Sequence, residues 1–425
     1  MTQALRPVRG FNDILPPASV HWQRLENEAA AVLEQAGYGE IRLPVVESTD
    51  LFARSIGASS DIVEKEMYSF PDRQGHSLSL RPEATAGCVR AGITQGLFDG
   101  GQLRLWYRGP MFRHERPQKG RYRQFHQIGA EAFGMTGAGI EAELIALAAR
   151  LWKRIGLNGV TLKINTLGSF EDRKRYRAAL LDFLHRHEDS LDDDSRRRLG
   201  SNPLRILDSK VAATRELLEN APRIVDSLGS ASAAHFDELR RQLDALGIAY
   251  VCDPFLVRGL DYYTGSVFEW VTDALGAQDA ICSGGRYDGL VEELGGRRTP
   301  AAGWALGMER LVLLAESQAV FPAPSGPDAY LVALGEAPEL RALALAEALR
   351  DRLPRLRLIV NADGGSLKAQ MRRADKCGAR FAIILGESEL ANGAVTVKPL
   401  LEKQEQLAVA QDVLADFLAQ RIQAA

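Results

Sequence analysis

The chain has 425 residues, of which 46% are hydrophobic and 25% are charged, and its formal net charge is −3. This composition is typical of a globular protein of two or three domains. The four cysteines are far apart and form no Cys-x-x-Cys pair, which argues against a zinc site or a disulfide framework. No apolar run approaches the roughly 20 residues of a membrane span, and the N-terminus lacks the apolar core of a signal peptide. We therefore expect a cytoplasmic protein with no membrane segment.

The N-terminal region is predicted to contain a helix followed by a strand. Apolar residues recur at helical spacing over residues 19–36, and Gly37 is suited to end that helix. The strand is predicted over residues 39–47, with Pro44 inside it. Because proline cannot donate to a sheet ladder, this strand belongs at an edge or an interface. Two interpretations remain open, a dimer contact through this strand and a plain exposed edge.

A short strand is predicted to lead into a helix near residue 85. Leu78 and Leu80 alternate with serines, and the strand ends at an Arg-Pro pair. Thr85 is well placed to cap the following helix. Glu83 and Thr85 are two residues apart, so in an extended turn they point the same way. The pair can be read as a charged turn with a capping threonine or as two ligand-binding side chains.

Residues 104–131 are predicted to form a long basic hairpin. Seven Lys or Arg residues stand against one acid, Glu115, between positions 104 and 123. Because side chains alternate along a strand, Gln127, Gly129 and Glu131 share one face of the second strand. A basic hairpin with a carboxamide and a carboxylate around a glycine indicates a site for an anionic ligand.

The remaining pattern indicates two domains and one insertion. Residues 171–200 contain eight charges of each sign with helically spaced leucines, which predicts a solvated helical insertion over about residues 170–245. Three prolines and a glycine within residues 320–327 mark a domain boundary. The upstream domain, residues 1–325, is predicted to be an antiparallel sheet flanked by helices. Residues 326–425 alternate strands and helices, which predicts a small α/β domain with a mostly parallel sheet and a final helix over about residues 404–421.

Four arginines in glycine-flanked turns are candidates for phosphate binding. The chain contains neither G-x-x-x-x-G-K-[ST] nor a G-x-G-x-x-G between a strand and a helix. A nucleotide would therefore be held by arginine side chains, whose planar, always charged fork matches phosphate oxygens. The candidates are Arg113, Arg121, Arg258 and Arg310, although each alone would be an ordinary surface arginine.

Several segments resemble the motifs of a known family. The strand around Pro44, the hairpin FRHERPQKGRYRQFHQ (112–127) and GWALGMERL (303–311) are similar to the three motifs of class II aminoacyl-tRNA synthetases. The segments LRPEAT (80–85), RGLDYYTG (258–265) and GGRYDGL (284–290) resemble the hallmarks of the histidyl-tRNA synthetase family in particular. The resemblance covers nearly the whole chain, and it identifies residues 326–425 with an anticodon-binding domain.

The resemblance implies an α+β class II catalytic domain and a histidine–tRNA ligase activity. ATP would activate L-histidine to histidyl-adenylate with release of pyrophosphate, and histidine would then pass to the 3′ end of tRNA(His). The implied partners are tRNA(His), L-histidine and ATP, with Mg²⁺ held mainly by the ATP phosphates rather than by protein side chains. A homodimer through the strand around Pro44 is also implied.

The resemblance assigns histidine binding to six residues. Glu83, Thr85 and Gln127 would hold the α-ammonium, while Glu131 would accept the imidazole Nδ1–H and Tyr263 would donate to Nε2. This pair of roles selects the neutral imidazole tautomer. Tyr262 is expected beside Tyr263, and Gly129 is expected to leave room for the ligand ring. Out of context, the two tyrosines would be read as a core aromatic pair.

The resemblance also assigns the phosphate and tRNA contacts. Arg113 and Arg258 are the expected catalytic residues at the α-phosphate of ATP, and Arg121 and Arg310 would hold the β- and γ-phosphates. Arg116 and Gln118 at the hairpin tip would read the extra 5′ guanylate of the tRNA acceptor end, with nonspecific phosphate contact as the alternative.

Two competing functions remain open at this point. One is a regulatory paralogue of the same catalytic fold that activates a phosphoribosyltransferase of histidine biosynthesis. Such chains lack the C-terminal domain and parts of RGLDYYTG, whereas this sequence retains both. The other is a tRNA sensor without catalysis, which would need neither Arg113 nor Arg258.

Overall fold

The structure, a computed structural model, describes residues 5–57, 60–200, 202–276, 280–322, 325–402 and 404–423. The chain divides into two compact units, residues 1–322 and 323–425. In the described part of the chain, no helix is long and apolar enough to cross a membrane.

The first unit is built on a large sheet with helices on both faces. Its strands are β1 (Gly39–Glu40), β2 (Val46–Ser48), β3 (Tyr68–Pro71), β4 (Ser77–Leu80), β5 (Leu103–Phe112), β6 (Gln124–Phe133), β7 (Thr161–Thr166), β8 (Tyr250–Cys252), β9 (Thr264–Val271), β10 (Ala280–Arg286) and β11 (Ala301–Gly307). Its helices are α1 (Ala18–Gln35), α2 (Thr49–Ile56), α3 (Thr85–Thr94), α4 (Gly139–Ile155), α5 (Phe170–Arg186), α6 (Asp193–Leu199), α7 (Ala212–Leu218), α8 (Ser230–Ala245), α9 (Leu290–Glu293) and α10 (Met308–Ser317). Helices α5 to α8 occupy the stretch predicted as a helical insertion.

The large sheet has eight strands in the order β1-β5-β6-β11-β10-β9-β7-β8. Its interior pairs are antiparallel, whereas the two edge pairs, β1 with β5 and β7 with β8, are parallel. A separate three-stranded antiparallel sheet has the order β2-β4-β3. The predicted class, a mainly antiparallel sheet flanked by helices, is confirmed.

Strand alternation divides the unit into two cores. Trp106, Ile128 and Ala130 belong to the core beneath α1, α4, α8 and α10. Tyr107 and Phe133 belong to the core on the opposite face, which α3, α5 and α9 help to cover. Because neighbours along β5 and β6 face opposite ways, the residues that alternate with Ile128 and Ala130 open onto the second face.

The predicted continuous strand over residues 39–47 is wrong. It is divided into β1 and β2, which belong to different sheets, and Pro44 lies in the connection between them. Proline removes a ladder donor, and the Arg81 guanidinium instead satisfies the carbonyl oxygens of Leu43 (3.0 Å) and Pro44 (3.3 Å). The expectation of an edge position is confirmed for β1, which is the outermost strand of the large sheet.

The second unit is a smaller mixed α/β layer. Its strands are β12 (Ala329–Leu334), β13 (Leu358–Val360), β14 (Phe381–Gly386), β15 (Ala394–Pro399) and β16 (Leu407–Ala410), and its helices are α11 (Glu336–Arg352), α12 (Leu367–Lys376), α13 (Glu387–Ala391) and α14 (Leu414–Gln423). The sheet order is β13-β12-β14-β15-β16, with β13, β12 and β14 parallel and the last two strands antiparallel. The final helix begins at Leu414 rather than near residue 404, because β16 occupies part of the predicted span.

Candidate active site

One pocket of the first unit brings together ten of the predicted site residues. Its walls come from β6, β10 and β11, from the connection between β5 and β6, from the turn before α3, from the start of α10 and from the loop between β8 and β9. The ten residues are Glu83, Thr85, Arg113, Arg121, Gln127, Glu131, Arg258, Tyr262, Tyr263 and Arg310. They come from chain segments more than 200 residues apart, so the fold rather than local sequence assembles the site.

Glu83 is held by the helix that follows it. Its side chain is 4% exposed and accepts from the backbone N–H groups of Thr85 (2.6 Å) and Ala86 (2.9 Å) at the start of α3. The expectation that Thr85 caps this helix is wrong, because Glu83 takes the free N–H groups at its N-terminus. Burial raises the pKa of Glu83, although these backbone hydrogen bonds lower it.

Glu131 sits at the bottom of the pocket and accepts hydrogen bonds from three hydroxyl groups. Oε1 accepts from Thr85 Oγ1 (2.7 Å) and from the Tyr107 hydroxyl (3.3 Å), and Oε2 accepts from the Tyr287 hydroxyl. Burial raises the pKa of Glu131 to about 8, although these hydrogen bonds oppose the rise. Thr85 can donate to Glu131 and still accept from a ligand, because a hydroxyl has one proton and two lone pairs.

The expectation that Gly129 leaves room for a ligand ring is wrong. A Cβ at Gly129 would lie 2.8 Å from Cε1 of Tyr107, so the glycine makes room for that tyrosine instead. The space for Glu131 is provided from the other side by Gly303, its partner on β11. A Cβ at Gly303 would lie 2.8 Å from Cδ of Glu131 and 2.6 Å from the Ala130 carbonyl oxygen.

Gln127 offers an unused acceptor inside the pocket. Its Oε1 is buried and has no hydrogen-bond partner among the described residues. A buried amide oxygen without a partner is costly, so the arrangement indicates that a ligand donates to it. The N–H groups of an α-ammonium, placed between Gln127 and Glu83, are suitable donors.

Arg258 and Arg113 are each held in place by neighbouring groups. Arg258 forms an ion pair with Glu269, and its guanidinium lies 5.4 Å from the ring centroid of Tyr263. Burial lowers the pKa of Arg258 and the Glu269 carboxylate raises it, with a net rise. Arg113 donates through Nε to the Pro82 carbonyl oxygen (2.9 Å) and lies over the Phe125 ring at 5.2 Å. Both guanidinium groups are thereby oriented before any ligand arrives.

Arg310 and Arg121 also line the pocket. Arg310 donates through Nη1 to the Ala280 carbonyl oxygen (2.7 Å), and Arg121 forms an ion pair with Glu115. Glu309, the residue before Arg310, accepts from the backbone N–H of His126 at 2.9 Å and so fixes the start of α10 against β6. The sequence predicted no role for Glu115, Phe125 or Glu309, although each lies in one of the segments that resemble the family motifs.

The predicted tRNA contacts lie outside this pocket. Arg116 and Gln118 are exposed in the connection between β5 and β6. Gln118 and Arg121 exchange backbone hydrogen bonds of 3.0 and 2.9 Å, which closes the tip of the hairpin. Both side chains are therefore displayed to solvent at the mouth of the site.

The acidic and sulfur-containing side chains give no indication of a resident metal. Within the described ranges, no group of three or more His, Cys, Asp or Glu residues could hold a metal ion. The expectation that Mg²⁺ is held mainly by the phosphates of ATP stays a prediction.

Comparisons with known proteins agree with the resemblance. The family model for histidyl-tRNA synthetase matches residues 10–311, and the model for an anticodon binding domain matches residues 328–421. The chain is 57% identical over 421 residues to the histidine–tRNA ligase of Alkalilimnicola ehrlichii, covering 99% of this chain and 97% of that protein.

Solved structures extend the comparison to the fold. The apo histidyl-tRNA synthetase of S. aureus is 35% identical with a TM-score of 0.82, covering 98% of this chain and 100% of that one. The enzyme from Nostoc sp. PCC 7120 is 21% identical with a TM-score of 0.72, covering 99% of this chain and 100% of that one, a likeness of fold alone. The chain belongs to the histidyl-tRNA synthetase family.

Proposed function

We propose that the chain is a histidine–tRNA ligase whose two chemical steps take place in the pocket described above. The observation that carries the proposal is that two sets of side chains line the same pocket. Glu83, Gln127 and Glu131 suit a cation and a ring N–H. Arg113, Arg121, Arg258 and Arg310 suit phosphates.

Histidine is bound through its α-ammonium and its ring. The carboxylate of Glu83, the hydroxyl of Thr85 and the free oxygen of Gln127 provide three acceptors for the ammonium. Glu131 accepts from one ring nitrogen, and the Tyr263 hydroxyl donates to the other. A site of buried polar groups rejects an amino acid that leaves them unpaired, by roughly 10⁴-fold or more. This discrimination accounts for specificity without an editing domain.

Activation is the attack of the histidine carboxylate on the α-phosphorus of ATP. The bond from the α-phosphorus to the bridging oxygen breaks, and pyrophosphate leaves with that electron pair. A carboxylate is already a nucleophile, so this step requires no general base. Arg113 and Arg258 neutralise the charge that develops on the oxygens of the α-phosphorus, and their prior orientation avoids a reorganisation cost during the reaction. Arg121 and Arg310 hold the β- and γ-phosphates, and Mg²⁺ would screen the charge of these phosphates.

Transfer follows in the same pocket. A hydroxyl of the 3′-terminal ribose of tRNA(His) attacks the activated carbonyl, and AMP leaves. Arg116 and Gln118 meet the acceptor end, and the second unit reads the anticodon bases. We assign no anticodon-reading residues in that unit.

The competing functions are disfavoured by specific residues. A tRNA sensor needs no cations at an α-phosphate, yet Arg113 and Arg258 are half-buried in the pocket and oriented by neighbours. A regulatory paralogue lacks the anticodon-binding unit, which is matched here over residues 328–421. Both features favour the ligase.

We further propose a homodimer formed through the region around Pro44. Among the described residues, no strand pairs with the outer edge of β1 in the large sheet, and Leu15, Val20 and Val46 expose apolar surface nearby in sequence. Light scattering coupled to size-exclusion chromatography should give twice the mass of the chain. Because the proposed reaction serves translation, we place the enzyme in the cytoplasm.

The direct test of the ligase is aminoacylation with labelled histidine. Purified protein, ATP and Mg²⁺ should charge tRNA(His) and should leave other tRNAs uncharged. Arg258→Ala, with the same tRNA and histidine, serves as the inactive control. Failure of the wild-type protein to charge tRNA(His) would contradict the proposed function.

A further inference from the structure

Two tyrosines behind the histidine pocket have no role in the mechanism above. Tyr107 on β5 and Tyr287 after β10 are 2% and 1% exposed, and neither lines the pocket. Their hydroxyls nevertheless point at Glu131, which lies between them and the ligand space. We propose that Tyr287, assisted by Tyr107, is a specificity-determining residue, an inference that rests on the proposed function. The two hydroxyls would leave Glu131 with one acceptor position, which the imidazole N–H fills.

Glu131 has few acceptor positions left for a ligand. An ionised carboxylate has two oxygens and about four lone-pair positions. Thr85 and Tyr107 occupy both positions of Oε1, and Tyr287 occupies one position of Oε2. One position on Oε2 is left for the ligand. A neutral imidazole offers one N–H and one acceptor nitrogen, whereas a side-chain amide offers two N–H bonds on one nitrogen and an ammonium offers three.

The position of the Tyr287 hydroxyl is fixed by both chain neighbours. The backbone N–H of Tyr287 donates to the Ala301 carbonyl oxygen at 2.7 Å. On one side, the buried Arg286 is paired with Glu141 and donates to the Gly137 carbonyl oxygen at 3.0 Å. On the other side, Asp288 accepts from the backbone N–H of Ala301 at 3.0 Å. Such an anchored backbone can hold a hydroxyl where a mobile surface loop could not.

The same turn is linked to the loop that carries the predicted ring donor. The backbone N–H of Asp288 donates to Thr264 Oγ1 at 3.2 Å, and Thr264 follows Tyr263 directly. The rings of Tyr263 and Tyr287 meet edge to face with centroids 6.2 Å apart. One connected set of contacts therefore positions both Glu131, the proposed acceptor for one ring nitrogen, and Tyr263, the proposed donor to the other.

The hydroxyls also favour the charged form of Glu131. Burial raises its pKa to about 8, and the hydrogen bonds from Tyr287, Thr85 and Tyr107 lower it. Burial raises the pKa of both tyrosines well above their usual value, so neither loses its proton near neutral pH. The titratable groups that interact with Glu131 are Glu83, Cys88, Tyr107, Tyr262, Tyr263 and Tyr287. Loss of one hydroxyl should raise the pKa of Glu131 further, so that a larger fraction of the enzyme carries a neutral Glu131. The neutral carboxyl is a weaker acceptor for the ring N–H than the carboxylate.

The test is Tyr287→Phe, which keeps the ring and removes the hydroxyl. Histidine-dependent ATP–pyrophosphate exchange is measured on the full-length protein from pH 6 to 9. We expect the KM for histidine at pH 7 to rise about tenfold, the usual weight of a hydrogen bond to a charged group. The kcat at saturating histidine and the KM for ATP should change less than about twofold.

The pH dependence separates this role from a structural one. The ratio of variant to wild-type KM cancels the titration of free histidine. This ratio should be largest at pH 6 to 7 and should shrink above about pH 8. At high pH Glu131 is ionised in the wild-type protein and becomes ionised in the variant as well, so the difference between them disappears. A distortion of the pocket would raise KM equally at every pH.

Tyr38→Phe is the matched control, because Tyr38 is also 2% exposed and donates to a glutamate, Glu143, at 3.1 Å away from the pocket. It should leave the KM for histidine unchanged. An unchanged KM in Tyr287→Phe, or a pH-independent rise, would overturn the inference. If Tyr287→Phe does not fold, as judged by thermal unfolding, Tyr107→Phe carries the same test. No exchange by the wild-type protein would instead overturn the proposed function.

Discussion

Gly303 on β11 lies directly opposite Glu131 on β6, and the absence of a side chain at Gly303 makes the space that the buried carboxylate fills. An alanine there would push against Cδ of Glu131 and against the Ala130 carbonyl oxygen, which belongs to a central strand and cannot move aside. In the proposed site, recognition of the ligand ring by Glu131 would thus depend on Gly303, a residue that offers no functional group.

Gly303→Ala should therefore impair histidine binding more than folding. We expect the free energy of unfolding to fall by about 1–3 kcal/mol, the usual cost of overpacking, and the KM for histidine to rise by tenfold or more. Urea denaturation and pyrophosphate exchange measure the two effects. Gly200→Ala is the control, because Gly200 has a helical φ of −80° and, chain neighbours aside, no atom of the described residues lies within 4 Å of its would-be Cβ. Equal behaviour of the two variants would contradict the steric account.

Glu131→Gln should change how stability depends on pH. The folded-state pKa of Glu131 is about 8, above the ordinary value of 4.5, so between these values the folded state binds more protons than the unfolded state. Stability contributed by this group is present below about pH 4.5 and is lost as the pH rises through about 8. The wild-type protein should lose more stability than Glu131→Gln between pH 5 and 8.5 in urea titrations. Parallel curves for the two proteins would show that Glu131 is ionised throughout.

Arg258→Ala should abolish activation while histidine still binds. The role proposed for the Arg258 guanidinium is to stabilise charge that appears only in the transition state, so we expect kcat for exchange to fall by about 10²–10³-fold. Calorimetric titration should still detect histidine binding. Arg104→Ala is the control, since Arg104 also pairs with a glutamate, Glu143 at 3.0 Å, outside the pocket. Exchange near the wild-type rate in Arg258→Ala would remove this arginine from the chemistry.

Arg116→Ala and Gln118→Ala should impair the transfer of histidine to tRNA without affecting the activation of histidine by ATP. Both side chains are exposed at the hairpin tip and outside the pocket, so pyrophosphate exchange should stay at the wild-type rate. The KM for tRNA(His) should rise about tenfold for a residue that reads a base. A tRNA lacking the extra 5′ guanylate provides the control. Removing this guanylate should raise the KM for tRNA with the wild-type protein but should cause little further rise with the variants, which have already lost the contact. If removal of the guanylate weakened tRNA binding equally in the wild-type protein and in the variants, nonspecific phosphate contact would be favoured.

Deletion of residues 326–425 should leave adenylate formation in place and cripple charging. The second unit has its own core, built around Leu331, Ile383 and Val395, and the ten pocket residues all belong to the first unit. The truncated chain should therefore still exchange pyrophosphate, although its KM for tRNA(His) should rise sharply. Normal charging by the truncated chain would contradict the assignment of anticodon reading to the second unit.

The sequence predicted the pocket where the relevant signal was local. Strand alternation placed Gln127 and Glu131 on one face because a period of two needs no tertiary information. Matching motifs then identified Arg258, Tyr263 and Arg310 in distant segments. The fold class followed from the contrast between the strand-rich first part and the alternating pattern after residue 327.

What the sequence could not predict depends on contacts between distant segments. The hydrogen bond from Tyr287 to Glu131 joins residues 156 positions apart, and no periodicity signals it. The same limit explains the error at Gly129, whose neighbour Tyr107 sits across the hairpin. The break at Pro44 was missed because the Arg81 side chain, rather than a strand, satisfies the carbonyl groups there.

The central claim is that this pocket selects histidine for activation by ATP. Its most direct test is ATP–pyrophosphate exchange by the wild-type protein, measured with each of the twenty amino acids in turn. The account predicts rapid exchange with histidine and rates at least about 10⁴-fold lower in kcat/KM with every other amino acid. Comparable exchange with another amino acid, or none with histidine, would contradict it.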